Sequence, residues 1–263
     1  MKRETLIKLR EEAPLIHCIT NPISMMQCAN AILGIGAKPI MAEHPMEVKE
    51  ITDTAGALLL NFGNISDTRM EAMRISLRTA LEKDIPVVID AVGVSCSQLR
   101  RDFLQELLKI REDISGENAD SRMLLIKGNY SEILSIADEK YHGKGVDADA
   151  SLDKEIVINS AVKISEKYEV MVLASGAIDI VTDKNRTFQV KNGHKMLGMI
   201  TGTGCMLGAI CAGFLSVSRD LETVADACTF LGICGENAAE KTKGSGSFLI
   251  CLLDEISLLF RQK

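Results

Sequence analysis

The amino-acid sequence predicts an α/β fold: a mainly parallel central sheet flanked by helices on both faces, with a helical C-terminal third. Short apolar runs alternate with amphipathic segments, a pattern typical of right-handed βαβ crossovers. Each apolar run ends in polar or Gly-rich residues. Although 263 residues could hold two domains, α/β folds of this length are often single. We therefore expect residues 1–263 to form one domain.

Five buried strands and four helices are predicted in the first half of the chain. The strand candidates are PLIHCIT, KPIMA, ALLLNFG, PVVIDAVG and MLLIKGN, and helical spacing covers residues 23–34, 45–55, 67–83 and 98–110. The third helix has the clearest signal, because Ser66 can cap it and apolar residues recur along one face. That face comprises Met70, Met73, Leu77 and Leu81.

The pattern changes in the second half of the chain. EVMVLASG, AIDIVTD and TFQVKNG follow one another as strands, and the turns at 175–176 and 183–185 predict hairpins. After Gly204 the chain is predicted to be helical to its end, with breaks near residues 219–220 and 243–246. This helical stretch is the predicted C-terminal third.

Composition and charge exclude several classes of partner. The net charge is −6, Trp is absent and aromatic residues make up only 4% of the chain, so we expect no nucleic-acid groove. The first residues, MKRETLIKLREEAP, lack the apolar core of a signal peptide, and no apolar stretch is long enough to span a bilayer. The eight cysteines form no C-x-x-C pair, which argues against a zinc site and for reduced thiols. We expect a cytoplasmic protein with no membrane partner.

Polar and glycine residues cluster where the predicted strands end. The carboxyl ends of parallel strands form the ligand-binding edge of an open sheet, so these residues are expected to lie near one another. Each of them alone has an alternative role as a capping or turn residue. They are Thr20, Asn21, Met41, Asn61, Gly63, Asp90, Gly93, Lys127, Asn129, Ser175 and Gly176, and the turn at residues 202–205 completes the set.

The run TGTGC at residues 201–205 has the composition of an anion-binding turn. Glycine lets the backbone approach an anion, and the free N–H groups of a helix N-terminus supply donors and positive potential. The alternative is a glycine-lined turn that lets a helix pack closely on the sheet. In the first case the same field would lower the pKa of the Cys205 thiol and favour the thiolate. No Walker A sequence is present, so a P-loop fold is not expected.

The segment IKGNYSEI at residues 126–133 carries Asn129 and Glu132 at the start of a predicted helix. An amide and a carboxylate one turn apart can hold a hydrated Mg²⁺ beside nucleotide phosphates, directly or through water. The alternative is a helix N-cap with its capping-box acid, which is common at helix starts. Asp90, at the end of another strand, is the candidate for a second acidic partner of Mg²⁺.

These stretches together resemble the hydroxyethylthiazole kinase family of the ribokinase-like superfamily. The matching stretches follow the family's order and cover nearly the whole chain: HCITN, GAKPIMA, ALLLNFG, VIDAVG, IKGNYSEI, ASGAIDIVTD, NGHKMLGMITGTGC and KGSGSF. The resemblance implies a ribokinase-like fold and a thiamine-salvage reaction. In that reaction the γ-phosphoryl of ATP passes to the primary hydroxyl of 4-methyl-5-(2-hydroxyethyl)thiazole, with Mg²⁺ as cofactor. It also implies a homotrimer with active sites near subunit boundaries.

The resemblance also implies roles on the side of the acceptor alcohol. Met41 matches the family's thiazole-site methionine, and Gly202 matches its substrate-side anion-hole glycine. Asn21, which follows the first strand, is also expected to bind the acceptor alcohol. Cys205 matches a cysteine that stands where many related kinases have a catalytic aspartate.

Four further positions match the family on the side of ATP and the metal. Lys127 stands where the family has an ATP-contacting arginine, so it keeps the charge but not the bidentate fork. Ser175 stands for an ATP-contacting threonine and keeps the hydroxyl. Asp90 and Glu132 match the acidic residues near Mg²⁺ and the phosphates.

Phosphoryl transfer requires in-line positioning and charge neutralisation more than covalent chemistry. The hypothesis is therefore that the amides of Gly202, Thr203 and Gly204 hold the transferring phosphoryl group, while Cys205 orients the hydroxyl and accepts its proton. Three alternatives stay open: a related kinase of a hydroxymethylpyrimidine-type alcohol, a transferase or hydrolase with Cys205 as nucleophile, and a non-catalytic nucleotide-binding module. The second needs a positioned base, and no local pattern ties any of the four histidines to Cys205.

Overall fold

One sheet of eight strands runs through the residues that the computed structural model describes, which are 3–115, 123–138, 140–141 and 153–261. The order of the strands in the sheet is β2-β1-β3-β4-β5-β6-β7-β8. Their bounds are β1 (Leu15–Ile19), β2 (Lys38–Ile40), β3 (Ala57–Asn61), β4 (Val87–Asp90), β5 (Leu124–Asn129), β6 (Met171–Ser175), β7 (Asp179–Thr182) and β8 (Thr187–Val190). Each of them lies within a predicted strand.

The sheet is mainly parallel, as predicted. All pairs from β2 to β6 are parallel, whereas β7 pairs antiparallel with both β6 and β8. The two predicted hairpins account for the antiparallel end. In the second of them, the Asp183 amide donates to the carbonyl of Arg186 across the turn at 3.0 Å.

Ten α-helices accompany the sheet within the described residues. They are α1 (Arg3–Glu12), α2 (Met25–Gly34), α3 (Val48–Asp53), α4 (Asp67–Glu82), α5 (Gln98–Ser115), α6 (Tyr130–Ala137), α7 (Lys154–Tyr168), α8 (Thr203–Leu215), α9 (Leu221–Lys241) and α10 (Ser245–Arg261). Ser66 caps α4 as predicted, accepting from the amide of Arg69. The last three helices confirm the helical C-terminal region, and their gaps fall at the two predicted breaks.

Helices cover both faces of the sheet, and each strand alternates its side chains between the two cores. Val88 belongs to the core formed with α1, α2, α8, α9 and α10, whereas Val87 belongs to the core formed with α3, α4, α5, α6 and α7. Burying each large apolar side chain contributes about 1.5–3 kcal/mol, so the two cores fix which face every strand residue occupies. Among the described helices, none combines the length and apolar character needed to cross a bilayer.

Candidate active site

Three polar side chains lie in a row across the carboxyl edge of the sheet. Asn61 at the end of β3 is in register with Asp90 at the end of β4, and Asp90 is in register with Lys127 on β5. Two residues before Asp90, Val88 packs in the core under α8. Alternate residues of a strand share a face, so the whole row points toward α8. This confirms the prediction that these strand ends meet.

A buried ion pair occupies the middle of this row. Lys127 Nζ lies 2.9 Å from Asp90 Oδ1, and the two side chains are only 4% and 0% exposed. Burial alone would lower the pKa of Lys127, but the nearby acidic groups, Asp90 first among them, together outweigh it and raise that pKa. Burial raises the pKa of Asp90, and the ammonium opposes this rise. Lys127 is therefore positively charged at neutral pH, close to the start of α8.

The start of α8 is built from glycines that allow two close approaches. Gly202 has φ +94, and a Cβ atom added there would lie 2.9 Å from Ser24 Cβ. A Cβ atom added at the exposed Gly204 would lie 3.4 Å from Lys127 Nζ. The first amides of a helix have no partner within the helix, so the start of α8 supplies hydrogen-bond donors close to this ammonium. The geometry agrees with both the anion-binding and the close-packing interpretations of the turn.

The hydroxyl of Thr203 is bound within the protein, so only its backbone amide is left as a donor at this turn. Thr203 Oγ1 donates to the carbonyl of Leu197 at 2.7 Å, which ties the first residue of α8 to the preceding 3₁₀ turn, Lys195–Met199. The side chain therefore holds the turn in place.

Cys205 lies in the first turn of α8, and its sulfur accepts hydrogen bonds from two amides. Nδ2 of Asn21 and Nδ2 of Asn61 are each 3.3 Å from Sγ. Burial raises the pKa of the Cys205 thiol, the charge of Asp90 raises it further, and Lys127 opposes them. The expectation of a lowered pKa was therefore wrong, because burial and the nearby carboxylate of Asp90 exceed the opposing effect of Lys127.

The sulfur has no histidine among the hydrogen-bond partners that the described residues provide. Both partners are side-chain amides, which cannot act as a base. One of the four histidines, His142, lies outside the described residues. The nucleophile alternative for Cys205 therefore gains no support from the groups around it.

Glu132 is a capping-box residue, which confirms the structural interpretation of the Asn-x-x-Glu segment. Its carboxylate accepts from the amide of Asn129 at 2.6 Å and from the amide of Gly93 at 2.7 Å. Burial raises the pKa of Glu132 to about 7, although Lys127 acts in the opposite direction. The carboxylate thus joins the start of α6 to the loop after β4.

Asp90 and Glu132 could hold a magnesium ion only through its water shell. All four carboxylate oxygens already accept hydrogen bonds from protein groups, and no set of three His, Cys, Asp or Glu in the described residues could form a metal cage. Mg²⁺ retains several waters and takes one or two carboxylates together with substrate phosphates. Asp90 and Glu132 thus have no unpaired carboxylate oxygen, and a contact with the ion would run through its waters.

The other predicted site residues lie at the same edge without touching the ion pair. Met41 is half-buried against the core under α8. Asn21 donates to Asn61 Oδ1 at 3.1 Å as well as to the sulfur, so its amide is already engaged. Ser175, at the end of β6, donates to the carbonyl of Gly128 at 3.3 Å.

Two buried basic side chains that fix the segment after Met41 were not predicted as site residues. His17 on β1 is fully buried, and its Nε2 donates to the carbonyl of Ala42 at 2.9 Å. Arg69 on α4 reaches both carboxylate oxygens of Glu43, with Nε 2.7 Å from Oε2. The histidine inside the apolar run PLIHCIT could have indicated a buried polar contact in the sequence. Nothing near Arg69 in the sequence indicated that it would pair with Glu43.

Comparisons with known proteins show which family this chain resembles in sequence. A model of the "Hydroxyethylthiazole kinase family" matches residues 6–262. "Hydroxyethylthiazole kinase 2" of Clostridium botulinum (strain 657 / Type Ba4) is 44% identical over 255 residues, covering 95% of this chain and 91% of that protein. "Hydroxyethylthiazole kinase" of Methanosarcina acetivorans is 40% identical over 261 residues, covering 99% of this chain and 95% of that protein.

Two solved structures have a fold similar to that of this chain. The hydroxyethylthiazole kinase protein from Pyrococcus horikoshii matches with a TM-score of 0.85 at 32% identity, covering 97% of this chain and 92% of that one. A ribokinase-like superfamily protein from Enterococcus faecalis matches with a TM-score of 0.62 at 12% identity, covering 98% of this chain and 95% of that one. The second match shows the fold alone.

Proposed function

This chain belongs to the hydroxyethylthiazole kinase family, and we propose that its phosphoryl transfer takes place where the start of α8 meets Asp90 and Lys127. The chain is accordingly a thiamine-salvage kinase, a phosphotransferase with an alcohol acceptor. The acceptor is the primary hydroxyl of 4-methyl-5-(2-hydroxyethyl)thiazole, and ATP is the phosphoryl donor.

The observation that carries the proposed location is the buried ammonium of Lys127 beside exposed Gly204. A transferring phosphoryl group spreads negative charge over its oxygens, and it is stabilised by fixed donors and positive charge. The amides of Gly202, Thr203 and Gly204 would supply the donors. Lys127 has further N–H groups besides the one that it gives to Asp90, and these would face the phosphates.

Cys205 would receive the proton of the acceptor hydroxyl. The two amide donors from Asn21 and Asn61 hold the sulfur as a hydrogen-bond acceptor, the orientation that this role requires. The raised pKa means that only a minor fraction of the thiol is ionised at neutral pH. This fraction suffices if the transition state is loose, because the hydroxyl proton then leaves late.

The thiazole ring would lie toward Met41, and the nucleotide toward Lys127 and Ser175. Asn21 would act on the acceptor side through the sulfur, since its amide N–H groups are directed at Cys205 and Asn61. The hydroxyl of Ser175 stands at the end of β6, next to the strand that carries Lys127. These positions divide the edge into an acceptor side and a nucleotide side.

Magnesium would be held by Asp90 and Glu132 through its water shell. When bound, the ion neutralises charge on the phosphates and polarises them. Asp90 would remain paired with Lys127, and Glu132 would remain bonded to the two backbone amides.

We also propose one ribokinase-like domain over residues 1–263, working as a homotrimer in the cytoplasm. The single sheet supports one domain. Exposed apolar side chains near the start of α8 support coverage by a second copy: Ile23 is 57%, Met26 70% and Met199 64% exposed. Light scattering on the purified protein tests this proposal, and a mass of one chain would contradict it.

The proposed function is tested by ADP release from Mg·ATP with and without the hydroxyethylthiazole. We expect ADP release that depends on the thiazole alcohol, with the phosphate ester identified by mass spectrometry. A hydroxymethylpyrimidine alcohol in a parallel reaction tests the related vitamin kinase, and faster turnover of the pyrimidine would overturn the assignment of the acceptor. ATP binding without transfer to either alcohol would favour a non-catalytic module.

A further inference from the structure

A fully buried amide connects the ion pair to the sulfur. Asn61 is 0% exposed, and its Nδ2 lies 2.8 Å from Asp90 Oδ2 and 3.3 Å from Cys205 Sγ. Its Oδ1 accepts from Asn21 Nδ2 at 3.1 Å and from the amide of Gly63 at 2.9 Å. Two donors and two acceptor positions are all that a side-chain amide has, so the group is fully satisfied.

The backbone fixes which end of this amide points at the sulfur. The Gly63 N–H can only donate, so the atom facing it must be the oxygen. Nδ2 therefore faces the other way, and its two N–H groups are directed at Asp90 and Cys205. Rotation of the amide by half a turn would set N–H against N–H and leave a buried donor unpaired, which is costly.

We propose that Asn61 is a positioning residue for the phosphotransfer, holding Cys205 as a hydrogen-bond acceptor and tying it to the Asp90–Lys127 pair. The inference rests on the proposed function, and it adds a residue that acts through Cys205 and not on the substrates. The N–H group stabilises the ionised sulfur, since a hydrogen bond to a charged form favours that form. It also keeps the sulfur in one place beside the start of α8, where the acceptor hydroxyl arrives.

The first test measures ionisation of Cys205 directly. Alkylation of Cys205 by iodoacetamide is followed against pH with peptide-resolved mass spectrometry in wild type, Asn61→Ala and Asn61→Asp. We expect the apparent pKa of Cys205 to rise by about one unit in Asn61→Ala, and further in Asn61→Asp, which also adds a negative charge. Cys251, half-buried on α10, is the internal control, and its profile should be the same in all three proteins. An unchanged Cys205 profile in a folded variant overturns the proposal.

The second test separates positioning from general loss of structure. We expect Asn61→Ala to lower kcat about tenfold while the KM for ATP stays within about twofold. In a Cys205→Ala background the same substitution should have little further effect, because the residue acts through the sulfur. Equal losses in both backgrounds would show that Asn61 does not act through Cys205.

A third measurement removes the sulfur and leaves Asn61 in place, in case substitution of Asn61 prevents folding. In Cys205→Ala, the side-chain amide resonance of Asn61 should shift relative to wild type, and that of Asn237, which donates to Glu255, should not. An unmoved Asn61 resonance contradicts the proposed contact. If Asn61→Ala changes the Cys205 profile but the wild type transfers no phosphate to the thiazole alcohol, the contact stands and the kinase assignment fails.

Discussion

Lys127 holds Asp90 in a buried ion pair, with Nζ 2.9 Å from Oδ1. Removing one member of such a pair leaves an uncompensated buried charge, at a cost of about 3–5 kcal/mol. We expect Lys127→Met to lower the free energy of unfolding by about that amount in urea denaturation. Lys83→Met is the control, because Lys83 and its partner Asp53 are both half-exposed, and it should leave the free energy of unfolding almost unchanged. Equal effects of the two substitutions would contradict the prediction.

The raised pKa of Cys205 predicts that activity increases with pH. The thiolate fraction grows with pH, so kcat/KM of the wild type should rise from about pH 6 to about pH 9. Cys205→Asp should keep activity and shift this rise to lower pH, because a carboxyl group ionises earlier. Cys205→Ala should lower kcat/KM about 10²-fold or more, and the remaining activity should no longer depend on pH in this way.

Steady-state kinetics across this pH range check the prediction, with Cys251→Ala, a partly exposed cysteine on α10, as the control. Wild-type turnover in Cys205→Ala would remove the sulfur from the reaction.

The positive φ of Gly202 predicts a specific loss on substitution. Gly202→Ala places a methyl group 2.9 Å from Ser24 Cβ in a left-handed backbone conformation, so the turn must shift. We expect a loss of about 1–3 kcal/mol in stability and at least about tenfold in kcat, since misplaced amides no longer meet the phosphoryl group. Gly198→Ala is the matched control in the same segment, because no atom lies within 4 Å of its added Cβ atom. Similar kcat losses in the two variants would argue against a role for the turn geometry.

The contact between Arg69 and Glu43 predicts an effect on the acceptor alone. Arg69→Lys loses the two-point contact that fixes the segment after Met41. We expect the KM for the thiazole alcohol to rise about tenfold and the KM for ATP to stay within about twofold. Arg74→Lys is the control, since Arg74 makes the same kind of contact with Glu106 on an exposed surface. A parallel rise in both KM values would mean that the substitution disturbs the whole edge.

Most of the fold follows from local patterns in the sequence. Apolar runs such as ALLLNFG and PVVIDAVG are continuous because central parallel strands are buried on both faces, and both became strands. Local patterns did not predict α1 and α7. Their apolar residues are interspersed with charges, and tertiary packing is what decides such segments.

The site was predictable only in part, because its geometry depends on contacts between distant residues. The edge position of Asp90 and Lys127 follows from strand ends alone, but their ion pair joins residues 37 apart in sequence. The pKa of Cys205 was misjudged because its burial and its neighbour Asp90 are tertiary features. The capping role of Glu132, in contrast, is local and was among the predicted alternatives.

The register of β3, β4 and β5 also joins correct folding to competence for the reaction. A slip of β4 by one residue would bring Val88 and Asp90 to the opposite face and put Val87 under α8. The apolar packing that drives the chain to fold would then be lost together with the alignment of Asn61, Asp90 and Lys127. A chain with β4 out of register would therefore lose stability and activity together, and the packing of the interior acts as a check on the assembly of the reactive groups.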